Sequence, residues 1–132
     1  MPTKTTSTCC DGDMKHIVII EDDQDLLDVL SLILTEAGYR VTALTQMESV
    51  EDLIDLQADA FVIDEMLPVV NGHIICIILK SKPQTKHLPV VLISADEKLP
   101  QMATLCEANA YLHKPFNSYT DLQRILEKAL AA

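Results

Sequence analysis

The sequence predicts an α/β domain, a parallel β-sheet covered by helices on both faces. Two observations carry this. Short apolar runs rich in Val and Ile alternate five times with segments whose leucines and isoleucines recur at helical spacing. The run Ala60-Phe61-Val62-Ile63 shows no polar alternation, which marks a strand buried on both faces. Parallel neighbours require crossover connections, and these are right-handed.

The elements follow in order. His16-Ile17-Val18-Ile19-Ile20 is the first strand and ends abruptly in Glu21-Asp22-Asp23. Leu26, Leu27, Leu30, Ile33, Leu34 and Ala37 lie at helical spacing, and Gly38 supplies the stop. Arg40 to Leu44 alternates and reads as an edge strand, and Thr45-x-x-Glu48 reads as a capping box for a helix through Leu56. The Ala60 strand runs into Asp64 and then a turn with Pro68 and Asn71-Gly72. Gly72 to Lys82 is read as a helix because a crossover is needed there, although its Ile-rich run favours a strand locally and offers a surplus of apolar side chains to the surface. Pro89 to Ile93 is the fourth strand. A helix over 97–107 is entered near Pro100, and Ala110-Tyr111-Leu112 is the last strand. The final helix carries Leu122, Ile125, Leu126 and Ala129 and is opened by Ser118 or Thr120.

With 132 residues the chain is long enough for one domain with its own core, assigned to residues 15–132. Residues 1–14 are polar and without periodicity, and read as a disordered leader or an expression remnant. Asp11-Gly12-Asp13 begins like a calcium loop but lacks the remaining ligands. A net charge of −10 argues against direct nucleic-acid binding and against anionic membrane surfaces. No apolar run spans a bilayer and no signal peptide opens the chain, so the expected location is the cytoplasm. Cys9 and Cys10 are adjacent in the polar tail, whereas Cys76 and Cys106 sit in apolar helical contexts. Without a C-x-x-C spacing these four read as reduced thiols rather than a zinc site or a disulfide framework.

All strands of a parallel sheet present their carboxyl ends on one edge. Four of the five runs end in a chemically active group: Glu21-Asp22, Asp64, Ser94 and Lys114. In a flavodoxin-like (βα)5 order, 2-1-3-4-5, the first and third strands are neighbours and the ligand crevice opens at that switch point. Glu21, Asp22 and Asp64 should therefore cluster, with Ser94 and Lys114 beside them. Three close carboxylates repel one another, and a hard divalent cation held by few protein oxygens relieves this, which favours Mg²⁺ over a caged Ca²⁺. A carboxylate beside a cation, an ammonium and a hydroxyl makes a phosphoryl-transfer site with Asp64 as nucleophile.

The set Glu21-Asp22, Asp64-x-Met66-x-Pro68-x-x-Asn71-Gly72, Ser94-Ala95 and Tyr111-x-x-Lys114-Pro115-Phe116 resembles the receiver domain of two-component response regulators over residues 15–132. The resemblance implies that Asp64 accepts a phosphoryl group from a histidine kinase or a phosphotransfer protein. It implies that Asp22, Asp64 and the Met66 backbone carbonyl hold Mg²⁺, with Glu21 acting mostly through bound water. Lys114 would pair with the phosphoryl group, next to a cis bond before Pro115. Ser94 and Tyr111 would be a switch pair that repacks the face of the fourth helix, fifth strand and fifth helix, through which a downstream protein is bound. Such a domain catalyses its own phosphorylation and dephosphorylation without being a turnover enzyme, and acts as a monomer or a phosphorylation-linked dimer. Met66 and Asp96 occupy the positions that tune dephosphorylation in the family.

Three rivals are weaker. A pseudo-receiver, acting only as an interaction module, does not need the intact Lys114 and Ser94. A haloacid-dehalogenase-type phosphatase needs an Asp where Met66 stands. An FMN-binding flavodoxin needs a Ser/Thr-rich phosphate loop after the first strand, and has no use for clustered acids. His113 alternates away from Lys114, His16, His73 and His87 lack metal spacing, and Asn71 reads as turn chemistry. With no output domain in view, the chain reads as a stand-alone receiver or one cut from a longer regulator.

Overall fold

Three strands sit at the centre of the molecule because they are apolar along their length, with polar side chains only at their ends: His16, Asp64 and Ser94. The computed structural model describes residues 14–132. It contains strands β1 (His16–Ile20), β2 (Arg40–Leu44), β3 (Ala60–Asp64), β4 (Val90–Ser94) and β5 (Ala110–His113). Helices α1 (Gln24–Glu36), α2 (Val50–Asp55), α3 (Gly72–Ser81), α4 (Leu99–Leu105) and α5 (Thr120–Ala131) connect and follow them. The sheet is parallel throughout in the order β2-β1-β3-β4-β5, the predicted flavodoxin-like arrangement. Every residue of β1, β3 and β4 is buried, whereas the edge strands β2 and β5 are partly open.

Strand alternation divides the core into two layers. Val18, Ile20, Phe61, Ile63, Val90 and Leu92 face α2, α3 and α4, where they meet Leu53, Ile75, Leu79 and Leu99. Ile17, Ile19, Ala60, Val62, Val91 and Ile93 face α1 and α5, where they meet Leu27, Leu30, Leu34, Leu122 and Leu126. Each fully buried Leu or Ile contributes roughly 1.5–3 kcal/mol relative to exposure, so the two layers dominate the fold's stability. The Ile-rich segment is indeed helical. It buries Ile75, Cys76 and Leu79 and leaves Ile74 and Ile77 partly exposed.

Helix entries differ in detail from the sequence reading. The α2 cap is Ser49, whose hydroxyl accepts the Asp52 N–H at 3.3 Å, and not Thr45. Ser49 wins because Val50 and Leu53, one turn inside it, are the residues that reach the core. The helix α4 is shorter than 97–107 and has Pro in its first turn, as Pro requires. At α5 the Ser118 hydroxyl accepts the Thr120 N–H at 3.3 Å, one residue before the nominal cap Tyr119. Gly38 closes α1 with φ +102°, a conformation that glycine adopts without cost. Among the described residues no helix is long and apolar enough to cross a membrane. The leader at 1–14, the Asp-Gly-Asp at 11–13 and the Cys9-Cys10 pair fall outside the described residues, Met14 excepted.

Candidate functional site

The carboxyl ends of β1, β3, β4 and β5 meet at one edge of the sheet because all four strands run the same way. Register sets their depth: Ile63 of β3 pairs with Ile20 of β1 and with Leu92 of β4, and Ser94 pairs with His113 of β5. The next residues along each strand are then Glu21, Asp64 and Lys114. Glu21, Asp22 and Asp64 each offer a carboxylate oxygen within 4.8 Å of the others. Lys114 Nζ stands 2.7 Å from Glu21 Oε1 and 3.3 Å from Asp64 Oδ1. Five of the seven predicted site residues therefore converge: the three acids, Lys114, and Ser94 at the end of the neighbouring strand.

Met66 and Tyr111 differ. The Met66 side chain is 61% exposed, and its backbone N–H donates to Asp64 Oδ1 at 3.2 Å, so the residue contributes backbone rather than side chain. Tyr111 is 42% exposed on β5 and packs edge-on against the His113 ring at 5.8 Å. His113 is exposed, as its alternation predicts. Ser94 is fully buried. Its hydroxyl accepts the Asp96 N–H at 3.1 Å, and its carbonyl accepts the Lys114 N–H at 2.8 Å. The Lys114-Pro115 bond is cis.

The electrostatics follow from burial. Glu21 is completely enclosed, and that desolvation pushes its pKa up to about 7 in spite of the Lys114 ammonium and the Asp23 N–H that its oxygens accept. Lys114 also loses water, but hydrogen bonding to Glu21 and the charge of Asp64 outweigh this and raise its pKa. A carboxyl whose folded pKa lies above its unfolded value binds more protons folded than unfolded. Metal-free stability should therefore fall as pH rises from 4.5 to about 7, by up to about 3 kcal/mol. Urea titrations in chelator across that window check this, and Glu21→Gln should flatten the slope.

A carboxylate that sequence reasoning passed over organises the loop after Asp64. Glu65 is buried. Its Oε1 accepts the His73 backbone N–H at 2.7 Å, and its Oε2 lies 2.5 Å from His73 Nδ1. Its carbonyl accepts the Gly72 N–H at 2.9 Å. Glu65 thus caps α3 and folds the Met66–Asn71 loop back over the strand end. An eight-residue separation across a loop matches no helix or strand period, so only an acid directly after a buried strand hinted at it. Gly72 completes the closure, since a Cβ there would stand 2.4 Å from the Asp64 carbonyl oxygen. Gly72→Ala should cost about 2 kcal/mol, within the range for overpacked sites, measured by urea denaturation.

Beside the acids, Lys114, Pro115 and Phe116 form one wall of an open groove of about 480 Å³, faced by Asp25, Leu26 and Val29 of α1. Residues 17–127 match the family described as the response regulator receiver domain. Over 115 residues the chain is 31% identical to the protein RcaC of Microchaete diplosiphon, covering 85% of this chain and 18% of that one. Over 106 residues it is 31% identical to the response regulator SaeR of Staphylococcus aureus, covering 79% of this chain and 46% of SaeR. The chain thus spans less than half the length of these relatives. The receiver domain of the sensor histidine kinase PA1611 of Pseudomonas aeruginosa superposes with a TM-score of 0.75 at 25% identity, covering 90% of this chain and 99% of that one. That structure holds a magnesium ion coordinated in its active site cleft.

Proposed function

This chain belongs to the response regulator receiver domain family of two-component systems, and from that premise we propose that Asp64 is its phosphoacceptor and that the site works with Mg²⁺. The observation that carries the reading is the meeting of Asp64 with Asp22, Glu21 and the Lys114 ammonium at one strand edge. The donor set fits the ion: all three side chains offer hard oxygens, and their mutual repulsion disfavours keeping all three ionised without a cation. Asp22, Asp64 and the Met66 carbonyl would hold Mg²⁺. Both Glu21 oxygens are already engaged, with Lys114 and the Asp23 N–H, which suits an indirect role through water. When bound, the ion neutralises carboxylate and phosphoryl charge.

In the reaction an Asp64 oxygen attacks the phosphorus of a phosphohistidine, the P–N bond breaks, and the imidazole departs. Lys114, 3.3 Å from Asp64 Oδ1, would pair with the transferred phosphoryl oxygens. The Ser94 hydroxyl would leave the Asp96 N–H and donate to the same group. Tyr111, free at the sheet edge, would then turn inward and repack the surface of α4, β5 and α5 on which a downstream protein docks. The groove between α1 and the Lys114 loop, lined by Lys114 itself, is where a histidine kinase or phosphotransfer protein would approach.

The test uses acetyl phosphate or phosphoramidate with and without Mg²⁺. One phosphoryl group per chain, stable to acid and labile to base, is expected only with the metal, with the label on the peptide containing Asp64. A folded protein that takes no label would overturn this and leave a pseudo-receiver, an interaction module alone. Repeated turnover of a small phosphoester would indicate a phosphatase instead.

A further inference from the structure

The start of α3 is held by a residue of the preceding strand end rather than by its own cap. Asn71 stands at the cap position, and its side chain makes no bond to the helix. Glu65 does this from eight positions before His73. Its carbonyl accepts the Gly72 N–H at 2.9 Å, its Oε1 accepts the His73 N–H at 2.7 Å, and its Oε2 lies 2.5 Å from His73 Nδ1. An ionised carboxylate only accepts, so Nδ1 carries the proton there. Two consecutive helix residues thus fasten one fully buried acid, which tolerates its burial because both oxygens have a donor. With both oxygens taken, Glu65 is not itself a ligand. Among the described residues, the acids close enough together to hold an ion are Glu21, Asp22 and Asp64.

On the reading that Asp22, Asp64 and the Met66 carbonyl hold Mg²⁺, we propose that Glu65, gripped by His73, is a positioning residue of that site, fixing the Met66 backbone whose carbonyl serves as a ligand. Met66 does not anchor itself, since its side chain is 61% exposed. The nearest side chain after it that packs is Leu67, which joins the core layer beneath α3. The Met66 peptides are therefore set from their neighbours, Glu65 on one side and Leu67 on the other, with the Met66 N–H on Asp64 Oδ1 at 3.2 Å. Mg²⁺ demands near-ideal octahedral placement of its ligands, so a carbonyl free to wander serves it badly. Losing a group that holds a metal ligand in place typically costs about 10–100-fold in affinity.

A cap that served α3 alone would change stability and leave the affinity of the folded protein for the ion untouched. Glu65 does more because it lies in sequence between Asp64 and Met66 while its side chain is fastened to α3. Substitutions separate the hydrogen bonds from the charge. Glu65→Gln keeps an oxygen for the His73 N–H and offers an amide N–H to Nδ1, which accepts it in the other imidazole tautomer. Glu65→Ala removes both acceptors and leaves the His73 N–H, one of the free N–H groups of the first helical turn, without its partner. Both remove the same charge, so the difference between them reports the hydrogen bonds. His73→Ala removes the imidazole and retains the backbone N–H on Oε1.

The test measures the Mg²⁺ Kd of the full chain by NMR titration without denaturant, beside urea denaturation in chelator. Glu65→Ala should weaken Mg²⁺ binding about tenfold, and Glu65→Gln should stay within about twofold of the wild type. His73→Ala should weaken it in the same direction by less, and serves if Glu65→Ala does not fold. Leu53→Ala, which truncates a buried core residue of α2 outside the site, should lower stability and leave the Kd unchanged. Wild-type affinity in His73→Ala or in folded Glu65→Ala would overturn the clamp. So would Glu65→Gln binding as weakly as Glu65→Ala, or Leu53→Ala weakening the ion equally. The reading beneath it fails by a different result: a wild type that binds no Mg²⁺, or binding undiminished in Asp64→Asn, would remove the site and the clamp with it.

Discussion

Asp64→Asn should abolish acyl-phosphate formation completely while leaving the metal-free fold at least as stable as the wild type. The two effects have separate causes. Asparagine keeps an oxygen that can accept the Met66 N–H now made to Asp64 Oδ1, so the turn after β3 survives. It also removes one of three crowded carboxylates, and Lys114 retains Glu21 at 2.7 Å. What disappears is the proposed nucleophile, since a neutral amide does not attack phosphorus, together with one anionic oxygen of the proposed cation site. In the wild type, Mg²⁺ at a hundredfold excess over its Kd should raise unfolding free energy by about 3 kcal/mol by mass action. In the variant that increment should shrink toward zero, and beryllofluoride with Mg²⁺ should no longer alter the spectrum. Denaturation with and without Mg²⁺, beside phosphate labelling, checks both halves. Undiminished labelling of the variant would place the acceptor elsewhere.

Lys114→Met should destabilise the metal-free protein by about 3 kcal/mol above neutral pH, because it leaves Glu21 enclosed without its ammonium. The loss has a ceiling, since Glu21 can take up a proton instead and its pKa already stands near 7. With the lysine gone, that pKa should climb further, for burial is its largest cause and the strongest opposing interaction has been removed. The deficit should therefore shrink as the solution is acidified through about 7 and the carboxyl becomes neutral. Adding Glu21→Gln to Lys114→Met should restore much of the lost stability, as an amide costs less to bury than an unpaired charge. Urea denaturation of the single and double variants at both ends of that pH window measures the coupling. A deficit that is the same at every pH, or unmoved by the second substitution, would show that Lys114 contributes packing rather than charge. With beryllofluoride, either variant should switch more weakly than the wild type if Lys114 holds the acyl phosphate as proposed.

Elements with a strong local signal were legible. Three apolar runs without polar alternation gave the buried strands, the alternation with helices gave a parallel sheet with one shared edge, and the flavodoxin-like order expected for it brings Asp22, Asp64 and Lys114 together there. The Ile-rich α3 was placed by topology against its own β propensity, because joining β3 to a parallel neighbour leaves the chain no alternative to a crossover. The α2 entry went the other way. Thr45-x-x-Glu48 satisfies a capping pattern, yet Ser49 caps the helix because core contacts by Val50 and Leu53 select the start.

The sequence by itself therefore determined which residues reach the functional edge, because strand direction and period oblige each strand end to deliver its next side chain there. Tertiary structure alone decided what those residues touch. The Glu21–Lys114 contact, the Glu65–His73 clamp and the bond from the Cys76 thiol to the Cys106 carbonyl join residues 93, 8 and 30 positions apart. Periodicity reports which way a side chain points relative to its own backbone. It carries no information about the partner that packing and desolvation bring to meet it.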